Sequence, residues 1–267
     1  MEETWFELVR NGGRLACRDF GGQGPPVLLL HGLAGHAGEW SETASWLTQI
    51  ARVYALDQRG HGRSERRPSD LSRAAHVADV IAVVESLGSP RIVLIGQSLG
   101  GQTALLTVAQ RPDLVEGLVV AEATAGEPTP KVPADVRAAL KAWPVPFSSR
   151  QAAHDFFGGE GLAAHAWVDG LEEAPDGLRP WFEIDVVVSA LEAAETCSYW
   201  DEWASIQCPT LVVRGEHGTL RADDANRMAD SLNTRLVEIP GAGHDVHLEN
   251  TAAWRAAIEA FLDALPR

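Results

Sequence analysis

The stretch "RIVLIGQSLGGQTALLTVAQ" (Arg91–Gln110) decides how the rest of the chain is read. Its first five residues form a short apolar run, which predicts a strand covered on both faces. Its second half predicts a helix that stops before Pro112. Between them Gly96-Gln97-Ser98-Leu99-Gly100 must turn the chain sharply. A serine there sits in a strained turn that lifts its hydroxyl clear of the sheet, and the flanking glycines let the backbone close and the helix pack. The helix N-terminus beside it favours developing negative charge. Ser98 is therefore a candidate nucleophile. A serine in a glycine-rich turn can also be incidental, and the strand–turn–helix context is what weighs against that reading.

Working outward, the same alternation recurs. "PPVLLL" (Pro25–Leu30), "RVYALD" (Arg52–Asp57) and "VEGLVVA" (Val115–Ala121) predict strands. A helix through Trp46, Leu47 and Ile50, with Ser41 as N-cap, and one through Val77, Val80, Ile81, Val84 and Leu87, with Asp70 as cap and Gly88 as stop, are predicted between them. "PTLVVRG" and "RLVEI" repeat the strand pattern late in the chain. A final helix capped by Asn250 buries Trp254, Ile258, Phe261 and Leu265. "TWFELVR" and "RLACRDF" flank Asn11-Gly12-Gly13 and predict an N-terminal hairpin. Strands and helices joined by short connections predict an α/β fold with a mostly parallel, doubly wound sheet.

From about Thr124 to Ser205 the strand pattern stops after the Pro-rich "GEPTPKVP". Helical patches follow at Val136/Leu140/Trp143, Phe156/Phe157 and Val187/Val188/Leu191, with Trp143, Trp167, Trp181, Trp200 and Trp203 among them. The expected organisation is a core of residues 1–123 and 206–267 with a helical cap over residues 124–205.

Composition excludes several classes. The chain has 267 residues, an ordinary 45% apolar fraction and a net charge of −15. Such a chain buries enough surface to fold without staples. Its acidity argues against nucleic acid and anionic membranes as partners. Cys17, Cys197 and Cys208 show no disulfide or metal spacing and are read as buried thiols of a reducing compartment. The start "MEETWFELVR" has no apolar core of a signal peptide, and no run approaches the roughly 18 apolar residues of a membrane span. A cytoplasmic location is expected. Oligomeric state is not legible.

Four motifs in order carry a resemblance. "GQSLGG" (Gly96–Gly101) is similar to the nucleophile elbow of the α/β-hydrolase fold, "HGLAG" (His31–Gly35) to its oxyanion loop, and "DQRGHGRS" (Asp57–Ser64) to the loop after its next strand. "GAGHDVHLEN" (Gly241–Asn250) resembles its histidine loop. The resemblance spans the chain apart from residues 124–205. It implies a serine hydrolase that needs no cofactor and no metal.

A serine hydroxyl needs a base. His244 follows the last strand in a glycine-bounded loop and fits the order Ser, acid, His that the resemblance implies. His31 and His61 are read as shaping their loops, His36 as a pocket neighbour, His76 as part of an amphipathic helix, and His154 and His165 as cap residues. His217 lies in the loop after "PTLVVRG", and His247 at a strand end or helix entry. The resemblance further implies an oxyanion hole of the Leu99 and Leu33 backbone N–H groups, with Gly32 beside it.

The acid is the open question. In most relatives of this kind it would stand at residue 218 of "PTLVVRGEHGTL" (Pro209–Leu220), which here is glycine. Asp223 and Asp224 read as first-turn helix residues, and Asp245 adjoins the base too closely to reach behind it. Glu122, a charge at an apolar strand end in "LVVAEATAG" (Leu118–Gly126), is the leading candidate, since some members of this fold carry a glutamate after the preceding strand. Glu216 is the alternative acid, and an enzyme without one remains a third reading.

The reaction expected is hydrolysis of a hydrophobic carboxylic ester or lactone, a small molecule, through an acyl-enzyme. The cap aromatics suggest an apolar and aromatic pocket, with Trp181 as a contact, although such side chains more often pack helices. A C–C bond hydrolase, a perhydrolase, a cofactor-free dioxygenase or a slow-turnover receptor could use the same scaffold.

Overall fold

A computed structural model describes residues 4–10 and 13–266. Strands β1 (Thr4–Arg10) and β2 (Gly13–Gly21) pair antiparallel, with Arg10 opposite Gly13. Asn11 and Gly12 of the expected turn lie outside the described residues. Then come β3 (Pro26–Leu30), α1 (Ser41–Leu47), β4 (Arg52–Asp57), α2 (Arg73–Ser86), β5 (Ile92–Gln97), α3 (Leu99–Gln110) and β6 (Val115–Ala121). The segment after β6 holds α4 (Val132–Lys141), α5 (Arg150–Phe156), α6 (Leu162–Asp169), β7 (Leu171–Ala174), β8 (Gly177–Pro180), α7 (Ile184–Ala194) and α8 (Trp200–Ser205). The chain closes with β9 (Thr210–Gly215), α9 (Ala222–Ala229), β10 (Thr234–Ile239), α10 (Val246–Glu249) and α11 (Thr251–Asp263).

Among the described residues, eight strands form one sheet in the order β1-β2-β4-β3-β5-β6-β9-β10. β2 runs antiparallel to β1 and β4, and the pairs from β4 through β10 are parallel. Strand side chains alternate between faces. Leu28, Leu30, Leu94, Leu118 and Val212 pack with Val77, Val80 and Leu105 of α2 and α3. Val27, Leu29, Val93, Ile95 and Val213 pack on the other face with Trp46, Trp254 and Ile258. These are the two covered faces that continuous apolar runs imply, and each such buried side chain stabilises the fold by about 1.5–3 kcal/mol.

Local details differ from expectation. Ser41 opens α1 rather than capping it, because a 3-10 turn (Ala37–Trp40) capped by His36 precedes it, and Ile50 lies beyond the helix and is exposed. Ser72, not Asp70, caps α2 by accepting from the Ala75 N–H; Asp70 accepts from the Ser72 N–H one step earlier. Asn250 caps α11 as expected, through the Ala253 N–H. The segment after β6 is not wholly helical: β7 and β8 form a hairpin, short and acidic enough in Leu171-Glu172-Glu173-Ala174 to carry no strand signal. Its last residues rejoin the core, where Tyr199 and Trp203 are buried against the α3 side of the sheet. Of the three thiols, Cys17 is buried, Cys208 partly buried and Cys197 exposed. None of the described helices is long and apolar enough to cross a membrane.

Candidate active site

The carboxyl ends of the central parallel strands converge on one region, where ligands bind in open α/β sheets. Ser98 directly follows β5 and Glu122 directly follows β6, with Gln97 and Ala121 paired across the ladder. Both take left-handed backbone angles, φ +51° at Ser98 and φ +50° at Glu122. Such angles cost a non-glycine residue of order 1–3 kcal/mol and persist only where neighbours enforce them. The Ser98 N–H donates to Ala121 O (2.9 Å), and the Glu122 N–H to Val213 O (2.9 Å). Gly100 is required by close approach, since a Cβ there would meet the carbonyl oxygens of Leu30 and His31.

Glu122 stands beside Gly218, the position where the sequence left the acid missing. Its side chain crosses to the loop after β9 and occupies the volume that a Cβ on Gly218 would need. Its carboxylate is fully buried. It accepts from the N–H groups of Gly215 (2.7 Å), Thr219 (2.6 Å) and Leu220 (3.1 Å). His244 Nδ1 lies 3.2 Å from Glu122 Oε2 and 2.8 Å from Thr219 Oγ1. A carboxylate only accepts, so Nδ1 carries the proton and Nε2 is left as a base. The Thr219 hydroxyl in turn lies 3.3 Å from the same carboxylate oxygen. Burial pushes the Glu122 carboxyl upward, but the His244 bond and three main-chain donors hold it below its ordinary value. Burial pushes the His244 imidazole down, but its bond to Glu122, with the charges of Asp245, Glu122 and Glu249, raises it above 6.5.

Glu216, the alternative, points elsewhere. It is exposed and its carboxylate accepts from the Gly241 N–H at 2.8 Å. Asp223 and Asp224 occupy the first turn of α9.

Two clamps on the histidine loop were not anticipated from sequence. Glu249 accepts from the N–H groups of Gly243 (2.7 Å) and Asp245 (2.9 Å), one on each side of His244. Gln97 Nε2 donates to the His244 carbonyl at 3.0 Å, tying the loop to the residue before Ser98. A Cβ on Gly32 would strike that Gln97 amide, so the glycine keeps the oxyanion loop against it. Thr219 was also missed, although it stands in the quoted loop itself.

His31 and His61 shape the loops around Leu33. His31 Nε2 accepts from the Gln58 N–H (3.0 Å), and His61 Nε2 accepts from the Ala34 N–H (3.1 Å). Burial drives the His61 pKa down to about 3, so it stays a neutral acceptor. The neighbouring Ala34 has φ +62°. The Leu33 and Leu99 N–H groups have no acceptor among the described residues, and both residues line the cavity in front of Ser98.

That cavity measures about 450 Å³. Ser98, Glu122, His244, Gly32, Leu33 and Leu99 line its sheet side. Val132, Val136, Leu140, Trp167 and Leu191, from the segment between β6 and β9, line the other. Trp181 does not line it, contrary to expectation. Its main chain pairs with Gly170 and Gly62, and its ring faces His36 and the Arg63 guanidinium. Trp167 takes the lining position. Trp143, Phe157 and Phe182 pack behind it, so the cavity wall is mainly aliphatic. His36 also lines the cavity, and its Nε2 donates to Ala166 O at 2.9 Å.

The sequence pattern of the alpha/beta hydrolase fold family matches residues 25–251. The chain belongs to that family. It is 26% identical to a 2-(acetamidomethylene)succinate hydrolase of Mesorhizobium japonicum, over 91% of this chain and 90% of the relative. It is 29% identical to the sn-1-specific diacylglycerol lipase ABHD11 of Mus musculus, over 89% of this chain and 81% of the relative. The crystal structure of an E-2-(acetamidomethylene)succinate hydrolase superposes with a TM-score of 0.86 at 22% identity, covering 98% of this chain and all of the other. The Ser98 turn and the loops of residues 31–35 and 241–250 all fall within the matched residues.

Proposed function

We propose that this α/β-hydrolase is a serine hydrolase that cleaves a neutral, hydrophobic carboxylic ester or lactone. The observation that carries the reading is the buried Glu122 carboxylate on His244 Nδ1, with Ser98 in the same cavity. His244 Nε2 takes the Ser98 proton as Oγ attacks the carbonyl carbon, and the tetrahedral oxyanion rests on the Leu33 and Leu99 N–H groups. His244 returns the proton to the leaving alcohol oxygen, which departs and leaves Ser98 acylated. Water then gives a proton to His244 and attacks the acyl carbon, and His244 passes that proton to Ser98 Oγ as the acid is released.

Charge supports the substrate class. Glu39, Glu195 and Asp245 line the cavity together with Glu122, and no lysine or arginine is among the described residues that do. An anionic substrate would meet repulsion there without a compensating cation. One relative is named for a succinate and another for diacylglycerol. The lining favours the uncharged kind of substrate.

The test is a panel of nitrophenyl esters with neutral or carboxylate-bearing acyl chains, aryl lactones, and a vinylogous diketone. Neutral esters or lactones should turn over fastest and Ser98→Ala should abolish the rate. Preference for the carboxylate-bearing ester would overturn the substrate class. Preference for the diketone would replace ester cleavage by C–C cleavage.

A further inference from the structure

The loop between α5 and α6 takes no part in the site above, yet it gathers three metal-ligating side chains. His154 comes from α5, Glu160 from the loop and His165 from α6. One ring nitrogen or carboxylate oxygen from each lies within 4.8 Å of the other two. The imidazoles meet edge to face with centroids 4.5 Å apart, and Glu160 Oε2 is 3.6 Å from His165 Nε2.

The main chain sets the tautomers. His165 Nδ1 faces Gly161 O at 3.0 Å, and His154 Nδ1 faces Gly159 O at 3.3 Å. Carbonyls only accept, so each Nδ1 carries the proton and each Nε2 presents a lone pair. A carbonyl behind the ring is the arrangement that orients metal-bound histidines and raises their basicity. An ordinary surface ion pair would need only Glu160 and His165. It leaves unexplained why a second imidazole, held in the same tautomer, meets the first edge to face.

We propose that His154, Glu160 and His165 form a binding site for a divalent transition metal of the zinc type. Two imidazoles and one carboxylate suit Zn²⁺ or Co²⁺, whereas Ca²⁺ and Mg²⁺ take oxygen ligands. Zinc bonds of 2.0–2.1 Å place tetrahedral ligand atoms about 3.3 Å apart. The Glu160–His165 pair is already near that spacing. The rest closes by side-chain rotation, on a loop that Gly158 (φ +102°) and Gly159 (φ +93°) bend sharply. Glu160 and His165 are exposed, which leaves an entry path and room for water at an open position.

The metal would act as a clamp, not as part of the hydrolytic machinery. It would join α5 to α6, and α6 carries Ala166, the acceptor of His36 Nε2, and Trp167 of the cavity wall. The proposal stands whether or not the protein is an esterase.

The full-length protein, stripped with a chelator, is titrated with Zn²⁺ against a chromophoric chelator, and separately with Co²⁺ while its visible absorption is followed. Wild type should bind one equivalent at this site. His154→Ala, His165→Ala and the double variant should each lose more than about 10–100-fold in affinity, the scale of losses from second-shell changes alone. The Co²⁺ bands should vanish with them, while circular dichroism shows each variant folded. No binding by wild type, or unchanged affinity in the folded double variant, would overturn the site.

Discussion

Glu122 and Gly218 occupy one place between them: the Glu122 carboxylate fills the volume a side chain at residue 218 would need. Even alanine at 218 should therefore displace the carboxylate and its contact with His244. Gly218→Asp should cost far more in the wild-type background than in Glu122→Ala, where the carboxylate is gone. A double-mutant cycle on kcat/KM measures this coupling, and neighbouring residues of this kind do not add. Additive effects would show that the two positions do not share space.

Thr219 Oγ1 is closer to His244 Nδ1 than Glu122 is, at 2.8 Å against 3.2 Å. Thr219→Val keeps the shape and removes the hydroxyl. One hydrogen bond of about 1 kcal/mol corresponds to a roughly fivefold lower kcat, with KM little changed. An unchanged kcat would make the hydroxyl a bystander.

The rate should depend on pH through His244. The base must be neutral, and its pKa is raised by the Glu122 bond and nearby carboxylates despite burial. Activity should thus fall on the acid side with a midpoint above 6.5. In Glu122→Gln the burial effect remains and the paired charge is lost, so the residual activity should show a midpoint shifted down. A midpoint that does not move in this variant would separate Glu122 from the titration.

Stability should move in a different window. His61 is pushed to about 3, mainly by burial, and burial also lowers His31 and His76. The unfolded chain binds these protons near pH 6.5 and the folded protein does not. Stability from these groups is complete above that pH and declines as pH falls toward 3. His61 alone approaches a slope of about 1.4 kcal/mol per pH unit. The raised pKa of His244 works oppositely, adding stability below 6.5 that is lost as pH rises. Urea midpoints at pH 8, 6.5 and 5.5 should drop mainly over the last interval; a flat series would contradict the neutral buried histidines.

The fold was legible because apolar runs and glycine-bounded turns are local signals. Pro25–Leu30, Arg91–Ile95 and Pro209–Gly215 read as strands since each is buried on both faces, and Ser98 followed from the turn between two such elements. Glu122 was legible as a charge at an apolar strand end. Thr219, Glu249 and Gln97 were not, because their roles lie in contacts that join separate loops. Trp181 was misplaced because tryptophan content says nothing about which face of the insert a ring takes. The β7–β8 hairpin failed for want of pattern: four residues with two glutamates do not alternate.

The most direct test of the central claim is the rate at which a fluorophosphonate captures Ser98, followed by intact mass and peptide mapping in wild type, Glu122→Ala and Glu216→Ala. Wild type and Glu216→Ala should be captured at the same rate. Glu122→Ala, checked for folding because three main-chain donors lose their acceptor, should be slower by about 10³–10⁴, as when a buried acid behind a catalytic histidine is lost. Capture of folded Glu122→Ala at the wild-type rate, or label on a residue other than Ser98, would contradict the account.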